Sequence, residues 1–256
     1  MLRRILLPME PTLAGEARLA LAISLAGRTH AALTLLQIAA RAHQANADED
    51  SLAATEIATQ RLLERLEREG IRAEWHMAQT AADVGRIEAK LADLTIVGRR
   101  DSQTLTDIPP EHIMLASGRP VLVVPGEGPF ETLGRRVVIA WDGSREASRA
   151  LGDALPLIER QASIRILTIA DPGGGYGPPP TIPIDYLRDH GLHAELEEII
   201  DGDRQIVTRL LARSAELNAD LLVMGGYGHS RLGEFVLGGT TRDMLRDATL
   251  PVLMAH

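Results

Sequence analysis

Short, continuous apolar runs separated by polar stretches recur along the chain. Three of these runs occur twice, in the same order, at an offset of about 130 residues. The matched pairs are 4–10 with 136–142, 92–98 with 219–225, and 120–124 with 251–255. Three matches in one order indicate that the chain contains two copies of one structural unit.

The apolar runs predict strands that are buried on both faces, because hydrophobic and polar residues do not alternate within them. Between the runs, apolar residues recur at three- and four-residue spacing, which is typical of helices packed on a sheet. Thr80 followed by Asp83 resembles a helix N-cap with its third-position acid. Strands alternating with helices, twice over, predict an α/β fold of two tandem, doubly wound, five-stranded parallel sheets.

Proline and glycine mark the boundary between the two copies. The segment 125–129 reads Pro-Gly-Glu-Gly-Pro, which ends one strand and cannot begin a helix. The predicted domains are therefore 1–126 and 133–256. A second proline- and glycine-rich segment, 171–180, comes after the second strand of the second copy and is interpreted as a surface loop or as a lid over a ligand.

The composition argues against several classes of function. The 256 residues carry a net charge of -8, which argues against a nucleic-acid partner because phosphate binding of that kind depends on clustered Lys and Arg. The absence of cysteine removes disulfides and thiolate metal sites and fits a reducing compartment. No apolar stretch is long enough for a signal peptide or a membrane span, so we expect a cytoplasmic protein without a membrane partner.

The strongest candidate for a ligand-binding segment comes after the fourth strand of the second copy, at the glycine-rich residues 225–241. In open α/β sheets, ligands bind beyond the carboxyl ends of the strands. Gly238, Gly239, Thr240 and Thr241 precede an apolar-periodic segment and are predicted to open a helix, whose free amides and dipole favour phosphate. The segment therefore predicts an anion site that needs no lysine.

The spacing of Gly225, Gly228 and Gly238 resembles the glycine pattern of ATP-binding universal stress proteins. The segments 138–144, 166–171, 219–225 and 251–254 resemble the first, second, fourth and last strands of that family. The resemblance covers nearly the whole chain as a tandem pair. It implies an adenine-nucleotide α-hydrolase-like fold that binds ATP, with or without magnesium, in its second copy.

The resemblance also assigns roles to individual residues. Asp142 would contact the nucleoside, the backbone at Ile169 would meet the adenine, and Ala140 stands where the family has a proline. The others would flank or cradle the ribose and phosphates: Met224, Gly225, Gly228, His229, Gly238, Gly239, Thr240 and Thr241. His229 is either a neutral loop residue or a phosphate contact. Gly239 departs from the family, which has Ser or Thr at that place.

The first copy lacks these features. Asp101 stands where a glycine is needed, and Glu10 replaces the aspartate that comes after the first strand. The segment 108–111 reads Ile-Pro-Pro-Glu, and its prolines supply no amide donors. We expect no ATP in this copy.

The leading hypothesis is a nucleotide-responsive stress or regulatory module with slow or no hydrolysis, without catalytic or metal-ligating residues and acting on an unidentified protein partner. One alternative is an adenylate-transferring or pyrophosphate-cleaving enzyme of the same wider fold. Another is a structural or interaction protein that binds no nucleotide. The family resemblance further implies an internal pseudo-dimer through 121–124 and 252–254, with a homodimer as a further option.

Overall fold

The computed structural model describes residues 1–10, 12–38, 49–99, 109–126, 128, 130–170, 182–200, 205–227 and 239–256. Within these ranges the chain forms ten β-strands, eight α-helices and two short 3₁₀ turns. The chain divides into two compact units, with the division between Val121 and Leu122. The α/β class predicted from the sequence is confirmed.

The first unit is built on parallel strands that lie in the order β3, β2, β1, β4. Strand β5 begins beside β4, where the Thr95 amide donates to the Pro120 carbonyl at 3.2 Å. The strands of this unit are β1 (Arg4–Pro8), β2 (Ala32–Ile38), β3 (Ala73–Ala78) and β4 (Leu94–Gly98), and the division between the units falls within β5 (Val121–Val124). The helices are α1 (Leu13–Thr29), α2 (Glu49–Arg68), α3 (Ala81–Arg86) and α4 (Pro110–Ser117).

The second unit repeats this order, with five parallel strands arranged β10, β9, β6, β7, β8. The strands are β6 (Arg136–Trp141), β7 (Ser163–Ala170), β8 (Ala194–Ile200), β9 (Leu221–Gly225) and β10 (Val252–Ala255). The helices are α5 (Arg145–Ala154), α6 (Ile182–Asp189), α7 (Ile206–Glu216) and α8 (Gly239–Asp247). In both units the first strand therefore lies between the second and the fourth, which confirms the doubly wound topology.

The predicted domain limits, 1–126 and 133–256, stay a prediction, as do the internal pseudo-dimer and the homodimer. The two units share the order of elements along the chain, strand and helix in turn, which is the pattern expected from a duplicated unit.

The core is aliphatic, as the low aromatic content predicts. In β1, residues 5–7 are at most 1% exposed, and in β6 residues 137–139 are 1% exposed. Consecutive residues of a strand point to opposite faces, so burial of every residue means that both faces of each sheet are covered. This arrangement explains why the strands read as continuous apolar runs.

A repeated aspartate fixes the start of the first strand in each unit. The Asp220 carboxylate, which is buried, accepts hydrogen bonds from the amides of residues 134–136 at 2.9–3.1 Å. The Asp93 carboxylate accepts from the amides of Arg3 and Arg4 at 2.8 and 3.0 Å. The matched Ala-Asp-Leu segments of the sequence are therefore structural anchors.

The first helix of each unit begins with equivalent caps. The Thr12 hydroxyl accepts from the Gly15 amide at 3.0 Å, and the Ser144 hydroxyl accepts from the Ala147 amide at 3.1 Å. Such caps satisfy amides that have no partner within the helix. The predicted cap at Thr80 is also confirmed, with a reciprocal capping box to Asp83.

Candidate functional site: the carboxyl edge of the second unit

The carboxyl ends of β6 and β9 lie side by side at one edge of the second sheet. The two strands pair in parallel, with Val137 opposite Leu221 and Ile139 opposite Val223. The residues that come directly after β6 and directly after β9 therefore lie at the same edge. This edge holds the predicted aspartate and the start of the predicted glycine segment.

Asp142 comes directly after β6 and is exposed to solvent. Its Oδ1 atom accepts a hydrogen bond from the Ser144 amide at 2.9 Å. Gly143 between them has a φ of +75°, which glycine adopts without a steric penalty. This tight turn presents a carboxylate at the sheet edge and begins α5 through the Ser144 cap.

Gly225, the last residue of β9, lies against the first turn of α5. A Cβ atom at Gly225 would lie 2.6 Å from the Ala147 amide nitrogen and 2.8 Å from the Glu146 carbonyl carbon. Both contacts are with backbone, which cannot rotate away. The missing Cβ permits close packing of α5 on β9, and the predicted place of Gly225 beside an anion stays a prediction.

The two residues after β9 are held by two different elements. The Gly226 amide donates to the Ala255 carbonyl at 2.9 Å, and the His256 Nδ1 donates to the Gly226 carbonyl at 3.0 Å. The Tyr227 amide donates to the Thr241 Oγ1 at 3.1 Å. The chain leaving β9 is therefore tied both to the end of β10 and to the first turn of α8.

The two threonines at the start of α8 differ in exposure. Thr240 and the preceding Gly239 are exposed, whereas Thr241 is only 3% exposed. A Cβ atom at Gly239 would meet nothing within 4 Å. Steric crowding therefore does not explain why this chain has glycine at the position where the family has Ser or Thr.

The remaining predicted site residues divide into three groups. Ala140 is half-buried on β6 and Met224 is buried on β9, both near the carboxyl edge. The backbone of Ile169 lies near the end of β7, which pairs with β6 on the side away from β9. Gly228, His229 and Gly238 lie outside the described residues, as does Asp101 of the first unit.

Sequence reasoning missed the contributions of Tyr227 and His256. Tyr227 has a φ of +61°, which non-glycine residues rarely adopt. Its position between two glycines was the available signal, because such a pattern favours a sharp turn. His256 carries no local pattern, since its contact with Gly226 depends on the pairing of β10 with β9.

The corresponding edge of the first unit is occupied by a buried ion pair. Arg18 Nη2 lies 2.6 Å from Glu10 Oε2, and the two side chains are 1% and 2% exposed. The shift that aligns the Thr12 cap with the Ser144 cap also aligns Glu10 with Asp142 and Arg18 with Ala150. The first unit therefore pairs its carboxylate internally at the position where the second unit exposes one.

The resolved pKa shifts belong to surface ion pairs away from this edge. At the end of α8, the hydrogen bond from the Arg246 guanidinium lowers the pKa of Asp247. On α7, hydrogen bonds to Glu197 and Glu216 raise the pKa of Arg213. The Arg246–Asp247 pair is exposed and contributes little to stability because solvent screens it.

Within the described part of the chain, no helix is both long enough and apolar enough to cross a membrane. No group of three or more histidine or acidic side chains in that part is arranged to hold a metal ion. The predicted cytoplasmic location stays a prediction.

Comparison with known families identifies the second unit. Residues 134–256 match the model of the universal stress protein family. The second unit is therefore a domain of the universal stress protein family. A universal stress protein of Synechocystis sp., Slr1230, is 29% identical over 153 residues, which are 56% of this chain and 49% of that protein. The chain thus spans about half the length of this relative.

Solved structures share the fold over nearly the whole chain. A universal stress protein from Archaeoglobus fulgidus DSM 4304 has a TM-score of 0.72 at 17% identity, covering 98% of this chain and 97% of its own. A protein of unknown function from Pseudomonas aeruginosa PAO1 has a TM-score of 0.63 at 18% identity, covering 99% and 92%. At these identities the similarity establishes the fold alone.

Proposed function

We propose that the second domain of this chain, the universal stress protein domain, binds ATP at the carboxyl edge of β6 and β9. The observation that carries the proposal is the parallel pairing of these strands, which brings exposed Asp142 to the edge where Gly225 and Gly226 begin the glycine segment. The Tyr227–Thr241 hydrogen bond adds the first turn of α8 to this edge. A nucleoside contact and a phosphate contact would then lie within one ligand's reach.

The first turn of α8 supplies the chemistry for phosphate. The first amides of a helix have no partner within it, and the helix dipole places positive potential there. A hydrogen bond to a charged group contributes about 1.5–3 kcal/mol, so a few amides and the exposed Thr240 hydroxyl suffice without a lysine. Magnesium would neutralise part of the remaining phosphate charge.

We assign Asp142 to the nucleoside and no residue to the activation of a water molecule. Efficient hydrolysis requires a general base within hydrogen-bond reach of the attacking water. We therefore propose a nucleotide-responsive module with slow or no hydrolysis, whose occupied state changes its contact with a protein partner.

The first domain would take no part in nucleotide binding. Its equivalent carboxylate, on Glu10, is buried and paired with Arg18. An ATP molecule bound at this edge would have to displace the ion pair. If the pair stayed intact, the Glu10 carboxylate would not serve as the acceptor for the nucleoside. The proposal therefore specifies one ATP for each chain.

Calorimetric titration with ATP and magnesium tests the proposal. We expect a stoichiometry near one in the natural protein and an affinity about tenfold lower in Asp142→Asn, equivalent to one lost hydrogen bond. Asp247→Asn is the matched control, because it removes an exposed aspartate at the opposite end of α8. At about a hundred times the dissociation constant, ATP should stabilise the fold by about 2.7 kcal/mol.

Four outcomes would contradict the proposal. A stoichiometry near two would assign a site to the first domain as well. Equal loss of affinity in both aspartate variants would remove Asp142 from the site. No heat and no shift in melting temperature would favour the alternative of a protein that binds no nucleotide, while rapid turnover of ATP would favour the enzyme alternative.

A further inference from the structure

The Thr241 hydroxyl is buried and forms a hydrogen bond within the protein. Its side chain is 3% exposed, and its Oγ1 atom accepts the Tyr227 amide hydrogen at 3.1 Å. Thr240, the residue before it, is exposed. Two neighbouring threonines at the start of one helix thus face different surroundings, and their sequence carries no indication of that difference.

Tyr227 is a residue whose backbone needs such support. Its φ of +61° lies in the left-handed region, where a side chain crowds the following carbonyl. A residue in this conformation persists when neighbouring contacts determine its position. Gly226 is fixed through both of its backbone groups, by Ala255 and His256. The hydrogen bond to Thr241 constrains the Tyr227 amide directly.

We propose that Thr241 is a positioning residue of the nucleotide site, while Thr240 supplies the hydroxyl that reaches the ligand. By accepting the Tyr227 amide, Thr241 fixes the distance between the end of β9 and the first turn of α8. These two elements would hold the ribose side and the phosphate side of the nucleotide. The inference rests on the proposed function and divides a role that the sequence assigned to both threonines.

Because Thr241 acts through its hydroxyl oxygen, substitutions can test the hydrogen bond separately from the packing of the side chain. Valine has nearly the same shape as threonine but replaces the hydroxyl with a methyl group, so Thr241→Val leaves the Tyr227 amide without its partner. Thr241→Ser keeps the acceptor and removes only a methyl group. Thr240→Val is the matched control, because it makes the same chemical change one residue away at an exposed position.

Two measurements on the full chain test the proposal. The first is hydrogen exchange at the Tyr227 amide, measured by NMR without nucleotide. The second is the affinity for ATP compared with the affinity for adenosine, which lacks phosphates. Melting temperatures of all variants show whether each one is folded.

For Thr241→Val we expect about tenfold faster exchange at Tyr227 and about tenfold weaker ATP binding, the size of one neutral hydrogen bond, with adenosine binding unchanged. Thr241→Ser should restore both values. Thr240→Val should weaken ATP binding and leave exchange at Tyr227 unchanged.

Unchanged exchange or unchanged ATP affinity in Thr241→Val would overturn the proposal. Equal weakening of ATP and adenosine would overturn it as well, because general disturbance of the domain affects both ligands. If the natural protein binds no nucleotide, the proposed function fails and the positioning role fails with it. The exchange measurement would then still show whether Thr241 anchors Tyr227.

Discussion

The two domains place an acidic residue directly after the first strand, and they use it in opposite ways. Glu10 is buried and paired with Arg18, whereas Asp142 is exposed in a turn closed by the Ser144 amide. The residue aligned with Arg18 in the second domain is Ala150, which is fully buried on α5. The first domain has an arginine on its first helix and a buried carboxylate, whereas the second domain has an alanine at the aligned position and an exposed carboxylate.

The parts that build the scaffold remain the same in both domains. An aspartate before the fourth strand anchors the first strand through Asp93 or Asp220, and a hydroxyl caps the first helix through Thr12 or Ser144. The two domains therefore share this frame, while their carboxyl edges differ. A shared fold does not imply a shared site.

Arg18→Ala is expected to have the largest effect on this comparison. It removes one partner of a buried ion pair and leaves the buried Glu10 charge without that partner, which typically costs about 3–5 kcal/mol. Urea unfolding monitored by circular dichroism measures the loss. Ala150→Gly on α5 serves as a reference for a small change at the aligned position.

The double variant Arg18→Met with Glu10→Leu tests the same ion pair. Replacing both members of a buried ion pair with hydrophobic side chains of similar size is often nearly neutral for stability. We expect it to recover most of the loss seen in Arg18→Ala. A single variant as stable as the natural protein, or a double variant as unstable as the single, would show that the pair does not organise the first domain.

The second prediction compares the shared anchors. Asp220→Asn should destabilise the protein by about 2 kcal/mol, because the carboxylate accepts three amides in a buried position. Asp93→Asn should cost about 1 kcal/mol, since its carboxylate accepts two amides and is half-exposed. The midpoints of urea unfolding report both values, and the reverse ranking would contradict the anchor assignment.

The third prediction concerns the departure at Gly239. Because a Cβ atom there meets nothing within 4 Å, Gly239→Ser should fold normally and add a hydroxyl at the place where the family carries one. We expect ATP affinity to rise about tenfold, the value of one hydrogen bond. Gly239→Ala is the control without a hydroxyl, and an equal gain in both variants would attribute the effect to the helix.

Much of the fold could be predicted because it depends on local patterns. Continuous apolar runs predict strands covered on both faces, and Thr80 with Asp83 predicts a cap that the structure contains. The duplication is inferred from three ordered matches. The exposed position of Asp142 at the sheet edge agrees with its place directly after a buried strand.

The site itself was less predictable because its contacts join distant parts of the chain. The close packing at Gly225 depends on the backbone of α5. The hydrogen bond of the Thr241 hydroxyl depends on the Tyr227 amide, which lies 14 residues earlier in the chain. Arg18 carried a signal, since it shares the helical spacing of buried Leu21 and Leu25. A charged residue on an apolar helix face indicates a buried partner.

Amide hydrogen exchange with and without ATP shows whether nucleotide binds to the second domain alone. We expect ATP to slow exchange in residues 141–147 and 225–227, together with the first turn of α8. Exchange in residues 8–18 of the first domain should stay the same. Protection of residues 8–18, or no protection in either domain, would rule out binding to the second domain alone.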